Sequence, residues 1–237
     1  METIFVLLII SFISFAIFSA YQSSAKKQRL AFIEGYQFHP SLSSKVTEKY
    51  PHLTTENTSL VFNALRDYFL FCNRAEKRMV SMPSQVVDVA WHEFILFTRD
   101  YERFCKDAFK RFLHHTPTEA MKTKTLAQDG IKRAWKFACA REGIDPKKPD
   151  RLPLIFAIDS LLNIEDGFKY SLNCSDKNSP NYGDGYCASH IGCGGGCSGS
   201  SASCGADGCG GGCSGSSASC GADGCGGDGC GGGCGGD

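Results

Sequence analysis

Residues 4–21 form eighteen consecutive positions that hold only apolar side chains, three serines and the closing Tyr21. A helix of that length and composition is long enough to cross a bilayer core if slightly tilted or if the bilayer thins, which makes it a transmembrane candidate. A secretory signal carries its basic residues before the apolar run. Here Glu2 follows Met1, and Lys26, Lys27 and Arg29 come after the run instead. The positive-inside rule then puts the N-terminus outside and everything beyond Lys26 in the cytoplasm. The expectation is a single-pass protein of the bacterial inner membrane, held by residues 4–21. A cleaved signal ending near Ala20 or Ala25 is the alternative. A lipoprotein signal does not fit, because no cysteine precedes Cys72.

The remainder divides by composition. Residues 1–25 read as the anchor, 26–53 as a polar linker with short turns, 54–172 as a helical domain, and 173–237 as a disordered tail rich in glycine, cysteine and serine. The net charge of zero hides an asymmetry, since residues 171–237 carry one lysine against six aspartates and leave a mildly basic body. An acidic tail is a poor ligand for nucleic acid, and none is expected as a partner.

Within 54–172, periodicity three and four apart predicts helices. One is capped by Thr54 or Thr55 and carries Leu60, Val61, Ala64, Leu65, Tyr68, Phe69 and Cys72 on its apolar side. Two more open at Ser84 and Thr98, with Pro117 closing the pair. A further helix starts at Thr118 and lasts to Glu142, where Gly143 supplies the C-terminal cap. The run LPLIFAIDSLLNI adds a short buried helix or, alternatively, a strand. These elements define an all-α fold, a small bundle of four to six helices, in which Cys72, Cys105 and Cys139 read as small buried apolar residues.

The chemistry is densest between Met82 and Pro117. Gln85, Asp88, His92 and Arg99 form a polar stripe, while Val86, Val87, Ala90, Trp91, Phe94 and Ile95 supply the buried side. Asp88 and His92 stand one turn apart, so the carboxylate can hold one imidazole nitrogen while the other faces outward. If the chain folds back after the second helix, Cys105, His114 and His115 join them in a metal site for zinc. The plainer alternative gives Asp88 and His92 a helix-stabilising hydrogen bond, puts Cys105 in the core, and lets the histidine pair cap a helix C-terminus. No phosphate loop, dinucleotide fingerprint or nucleophile elbow is present. Trp91-His92-Glu93 is no zinc-protease motif, since Leu96 stands where the second histidine belongs.

The pattern carried by Asp88, Trp91, His92, Thr98, Tyr101, Phe104, Cys105, Phe112, Leu113, His114, His115 and Pro117 resembles the bacterial branch of the glycine-rich domain-containing protein family. The likeness runs from about Leu60 to Tyr170 and takes in the glycine-rich tail. It implies a mostly helical domain of unassigned activity, and so no mechanism.

From Ile191 to Asp237 there are 21 glycines and nine cysteines, with Ile191 the one large aliphatic residue. The sixteen residues Gly192–Asp207 recur identically as Gly208–Asp223, and a decayed third copy follows. Cys193 and Cys197, Cys209 and Cys213, and Cys230 and Cys234 are each spaced by three glycines, which lets paired thiolates turn toward one soft ion such as Zn(II) or Cu(I). Three readings of the tail stand: a plain disordered chain, a site for soft metal or a protein partner, and a substrate of azole-forming peptide-modifying enzymes. The leading expectation is a membrane-anchored, non-enzymatic helical protein with a metal- or partner-binding tail. The alternative is a metalloenzyme or metal-stabilised domain centred on Asp88, His92, Cys105, His114 and His115.

Overall fold

A computed structural model describes residues 2–115, 124–172, 187–188 and 191. Among these the chain is helical and free of β-strands, with seven helices. They are α1 (Glu2–Glu34), α2 (Pro40–Lys49), α3 (Thr55–Ala75), α4 (Gln85–Leu96), α5 (Thr98–Phe109), α6 (Lys124–Glu142) and α7 (Leu154–Leu161). The short helix alternative for the 152–164 run is the one realised. Pro117, Thr118 and Met121 lie outside the described residues, as do the six paired tail cysteines.

The apolar run is the first half of α1, and no other element covers it: its large side chains from Ile4 to Tyr21 are 43–73% exposed. The same helix continues without a break to Glu34, where Ile33 is fully buried and Leu30 and Phe32 pack on the core. The stretch 26–53 is therefore no linker. It completes α1, forms α2 with His39 as N-cap, and delivers Leu42, Val46, Tyr50 and Leu53 to the interior. The domain also extends past residue 172, because Cys187, Ala188 and Ile191 are buried.

Local signals set the helix ends. Thr54 Oγ1 accepts from the Asn57 amide at 3.2 Å and Ser84 Oγ from the Val87 amide at 3.2 Å, satisfying donors that an N-terminus leaves free. Gly143, at φ +69°, ends α6, and the Ile144 amide closes back on the Cys139 carbonyl at 2.9 Å. Phe69 lies at the centre of the main core, with the rings of Phe104, Trp91, Phe109 and Phe94 at 4.8, 6.0, 6.2 and 6.3 Å. Trp135, Phe156 and Tyr170 make a second aromatic layer under α6 and α7.

The residue that joins the layers is Asp159 of α7, which is 2% exposed. Its Oδ1 accepts from Ser84 Oγ at 2.7 Å and the Val86 amide at 3.2 Å, and its Oδ2 from the amides of Gln85 at 2.7 Å and Phe168 at 2.8 Å. A carboxylate thus caps the N-terminus of α4 from outside that helix, where the aligned peptide dipoles favour negative charge. Gly167 permits the approach, since a Cβ there would sit 2.6 Å from the Asp159 Cβ. We expect Asp159→Asn to cost about 2 kcal/mol and Asp159→Ala about 3 kcal/mol, since a buried carboxylate with four donors leaves them unpaired when removed. Urea denaturation of the detergent-solubilised chain measures both, and a loss below about 0.5 kcal/mol, the scale of an ordinary surface change, would contradict this account.

Candidate metal centre

Asp88 and His92 occupy successive turns of α4, as their spacing predicts. His115 reaches them by a longer route. Helix α5 ends at Lys110 in the left-handed region (φ 57°, ψ 20°), which turns the chain back on itself. Leu113 is then buried, and its carbonyl accepts from the Tyr101 hydroxyl, which in turn accepts from Trp91 Nε1 at 3.1 Å. This buried relay fixes the 111–115 segment against α4 and α5. His115 consequently packs edge-on to the Trp91 ring at 4.5 Å and points Nε2 at Asp88 Oδ1, 2.9 Å away.

His92 completes the group. Its Nδ1 lies 3.0 Å from the Asp88 carbonyl oxygen and 3.2 Å from Asp88 Oδ2, and its ring centroid is 4.1 Å from that of His115. A carbonyl oxygen can only accept, so Nδ1 is the donor in this contact, which leaves Nε2 as the nitrogen that could face a metal. One metal-binding atom from each of Asp88, His92 and His115 falls within 4.8 Å of the others. The side chains of His115, Asp88 and His92 are 12, 21 and 49% exposed, so the group is backed by protein and open on the His92 side.

Two of the five residues expected here are elsewhere. Cys105 is 1% exposed, and its thiol, raised by burial, faces Tyr101 and the Leu113 backbone inside the core. His114 is exposed and lies against Phe112 at 4.9 Å. With Leu113 buried and His115 docked against Trp91, the residue between them, His114, is left facing solvent. The plainer reading was right for Cys105, and equally for Cys72 and Cys139, which are buried and free. Sequence reasoning missed Tyr101 and Asp159 as positioning groups. Asp159 carried a faint signal, an acid inside an otherwise apolar helix.

An α-helical domain carried on an N-terminal helix long and apolar enough to cross a membrane, with an Asp-His-His cluster on its surface, is the class that fold and site define. The sequence model of the family described as UCP032817-like matches residues 28–191, and the chain belongs to that family. The match begins inside α1 and ends at the buried Ile191, so it covers residues 28–53 with the domain and leaves out the repeats. No curated protein matches the chain. No solved structure matches it either.

Burial pushes the Cys72 thiol up to about 12, against a lowering hydrogen bond from Tyr68. Burial, then Glu142 and Asp145, pushes Cys139 up to about 11. The reactive thiolate is scarce below a raised pKa: at pH 8 roughly one Cys72 in 10⁴ and one Cys139 in 10³ is ionised. Iodoacetamide mapping by mass spectrometry should leave both unmodified in the native chain at pH 8 and modify both in urea; native modification at the rate of tail cysteines would overturn the assignment.

Proposed function

We propose that this chain is a membrane-anchored helical protein whose domain binds a divalent first-row metal, zinc foremost, through Asp88, His92 and His115. The convergence of those three side chains from α4 and the returning 111–115 segment carries the reading. Tetrahedral zinc ligands about 2.1 Å from the ion stand about 3.4 Å apart, so the 2.9 Å between Asp88 Oδ1 and His115 Nε2 needs about half an ångström of opening. Metal would replace the proton that His115 Nε2 donates to Asp88, and His92 would bind through Nε2 while Nδ1 stays tied to the Asp88 carbonyl. Three protein ligands leave coordination positions open, the arrangement of sites that bind a further ligand rather than purely structural ones.

A second reading rests on the tail, whose three CGGGC pairs offer soft thiolates for Zn(II) or Cu(I), or for a protein partner. The likeness to the glycine-rich domain-containing family is part of that reading. Elemental analysis separates the two. A chain ending at Ile191 keeps every described buried residue and should retain about one metal per chain after gel filtration, falling at least tenfold in His115→Ala and Asp88→Ala. Metal present only with the tail, or unchanged in those variants, would refute the domain site.

For topology we propose the cytoplasmic placement of the domain, supported by Lys26, Lys27 and Arg29 directly after the apolar run. Cys187 speaks for the other side, being disulfide-bonded as structural cysteines are in oxidising compartments. A C-terminal alkaline phosphatase fusion should be inactive and a fluorescent-protein fusion bright; the reverse pattern would place the domain outside.

A further inference from the structure

Ring contacts and hydrogen bonds fix which end of the domain faces the apolar half of α1. Along α3, Phe62 meets Phe38 at 5.0 Å, Arg66 Nε donates to the Tyr36 carbonyl at 2.8 Å, and Asp67 shares Arg141 with Glu34. Numbers rise in α3 as they fall from Phe38 and Tyr36, in the turn after α1, to Glu34 at its end, so α3 and α1 are antiparallel. In α5, Asp100 lies beside a pocket that Tyr36 also lines, and Phe104 packs on Phe32 at 5.8 Å. That helix is antiparallel to α1 as well. Both α3 and α5 therefore run back toward the apolar run, and their ends meet there: Asn73 Nδ2 donates to the Ala108 carbonyl at 2.7 Å, and Arg111 to that of Glu76.

At 1.5 Å of rise per residue, nine residues from Asp67 bring Glu76 about 13 Å along, level with Ala25, and six from Phe104 bring Lys110 about 9 Å along, level with Lys26. Tyr21, at the edge of the apolar run, is about 6–8 Å further on. What occupies this end is basic. Lys77 and Arg78 follow α3, Lys110 and Arg111 follow α5, and all four are exposed; Lys26 and Lys27 stand at the same level on α1. Glu76 and Asp107 are the acids among them. Phe112, 44% exposed, adds an apolar tip.

We propose that this end of the domain is a lipid-docking surface, lying on the anionic headgroups of the bilayer that α1 crosses. It rests on the membrane-anchor reading. A continuous helix holds the surface within the reach of lysine and arginine side chains from the headgroup layer, where each cation is drawn to anionic lipid and a partly exposed phenylalanine gains by insertion.

The test uses the full chain carrying Phe112→Trp, reconstituted into vesicles with brominated acyl chains, in which the buried Trp91 and Trp135 form an unquenched background. Bromine quenching of the introduced indole's emission is expected in phosphatidylglycerol-rich vesicles and should weaken in pure phosphatidylcholine. It should also fall with Lys77→Glu, Arg78→Glu and Lys110→Glu, by roughly fivefold in the docked-to-free ratio per charge removed, and with added salt. Absent quenching, or equal quenching in both lipids, in a chain that resists carbonate extraction would overturn the docking surface and leave the anchor standing. Release by carbonate would overturn the anchor and the docking surface together.

Discussion

The carboxylate of Asp159 at the start of α4 is the interaction on which the site depends. A helix N-terminus presents amide groups with no partner inside the helix, and burying it without acceptors costs more than the packing around it returns. Ser84 satisfies one of these amides from within the chain's local sequence, while Asp159 accepts from two more and from the Ser84 hydroxyl itself. That fixes both the position of the first turn of α4 and its rotation. Asp88 lies in that first turn, its amide bonded to the Ser84 carbonyl at 3.0 Å, so the orientation of its carboxylate is inherited from a residue 71 positions later in the chain.

The other half of the site is held by aromatic packing rather than charge. Trp91 and Tyr101 are buried, and each has one polar atom that must find a partner. They find each other, and the Tyr101 hydroxyl donates its own hydrogen bond to the Leu113 carbonyl. An irregular segment is thereby fixed without helix or strand, and its last described residue, His115, docks on the Trp91 face. The cluster thus consists of one helix placed by a buried acid and one loop placed by two aromatics, which is how a solvent-facing site acquires rigid support.

The continuity of α1 ties this arrangement to the apolar segment. Ile33 in the core and the exposed run before Tyr21 belong to one helix, so the domain has no flexible joint between them within the described residues. The ion pairs of Arg141 with Glu34 and Asp67 reinforce the junction at a partly exposed position, where such pairs contribute modestly. A helix shared by the core and the exposed apolar run sets which face of the bundle lies nearest that run.

Local sequence determined the parts of this protein that depend on near neighbours. Residues 4–21 are apolar whatever surrounds them, Ser84 and Thr54 cap because their side chains reach amides three residues on, and Asp88 and His92 meet because 3.6 residues make a turn. Residues 26–53 escaped notice because α2 buries just Leu42 and Val46, too thin a stripe to stand out from a polar background. Tertiary structure decided everything that needed the relative placement of distant segments: that His115 and not His114 faces Asp88, that Cys105 turns inward, and that Asp159 caps a helix it does not belong to. No periodicity encodes such choices, because they follow from which buried donors and acceptors find partners once the helices have packed.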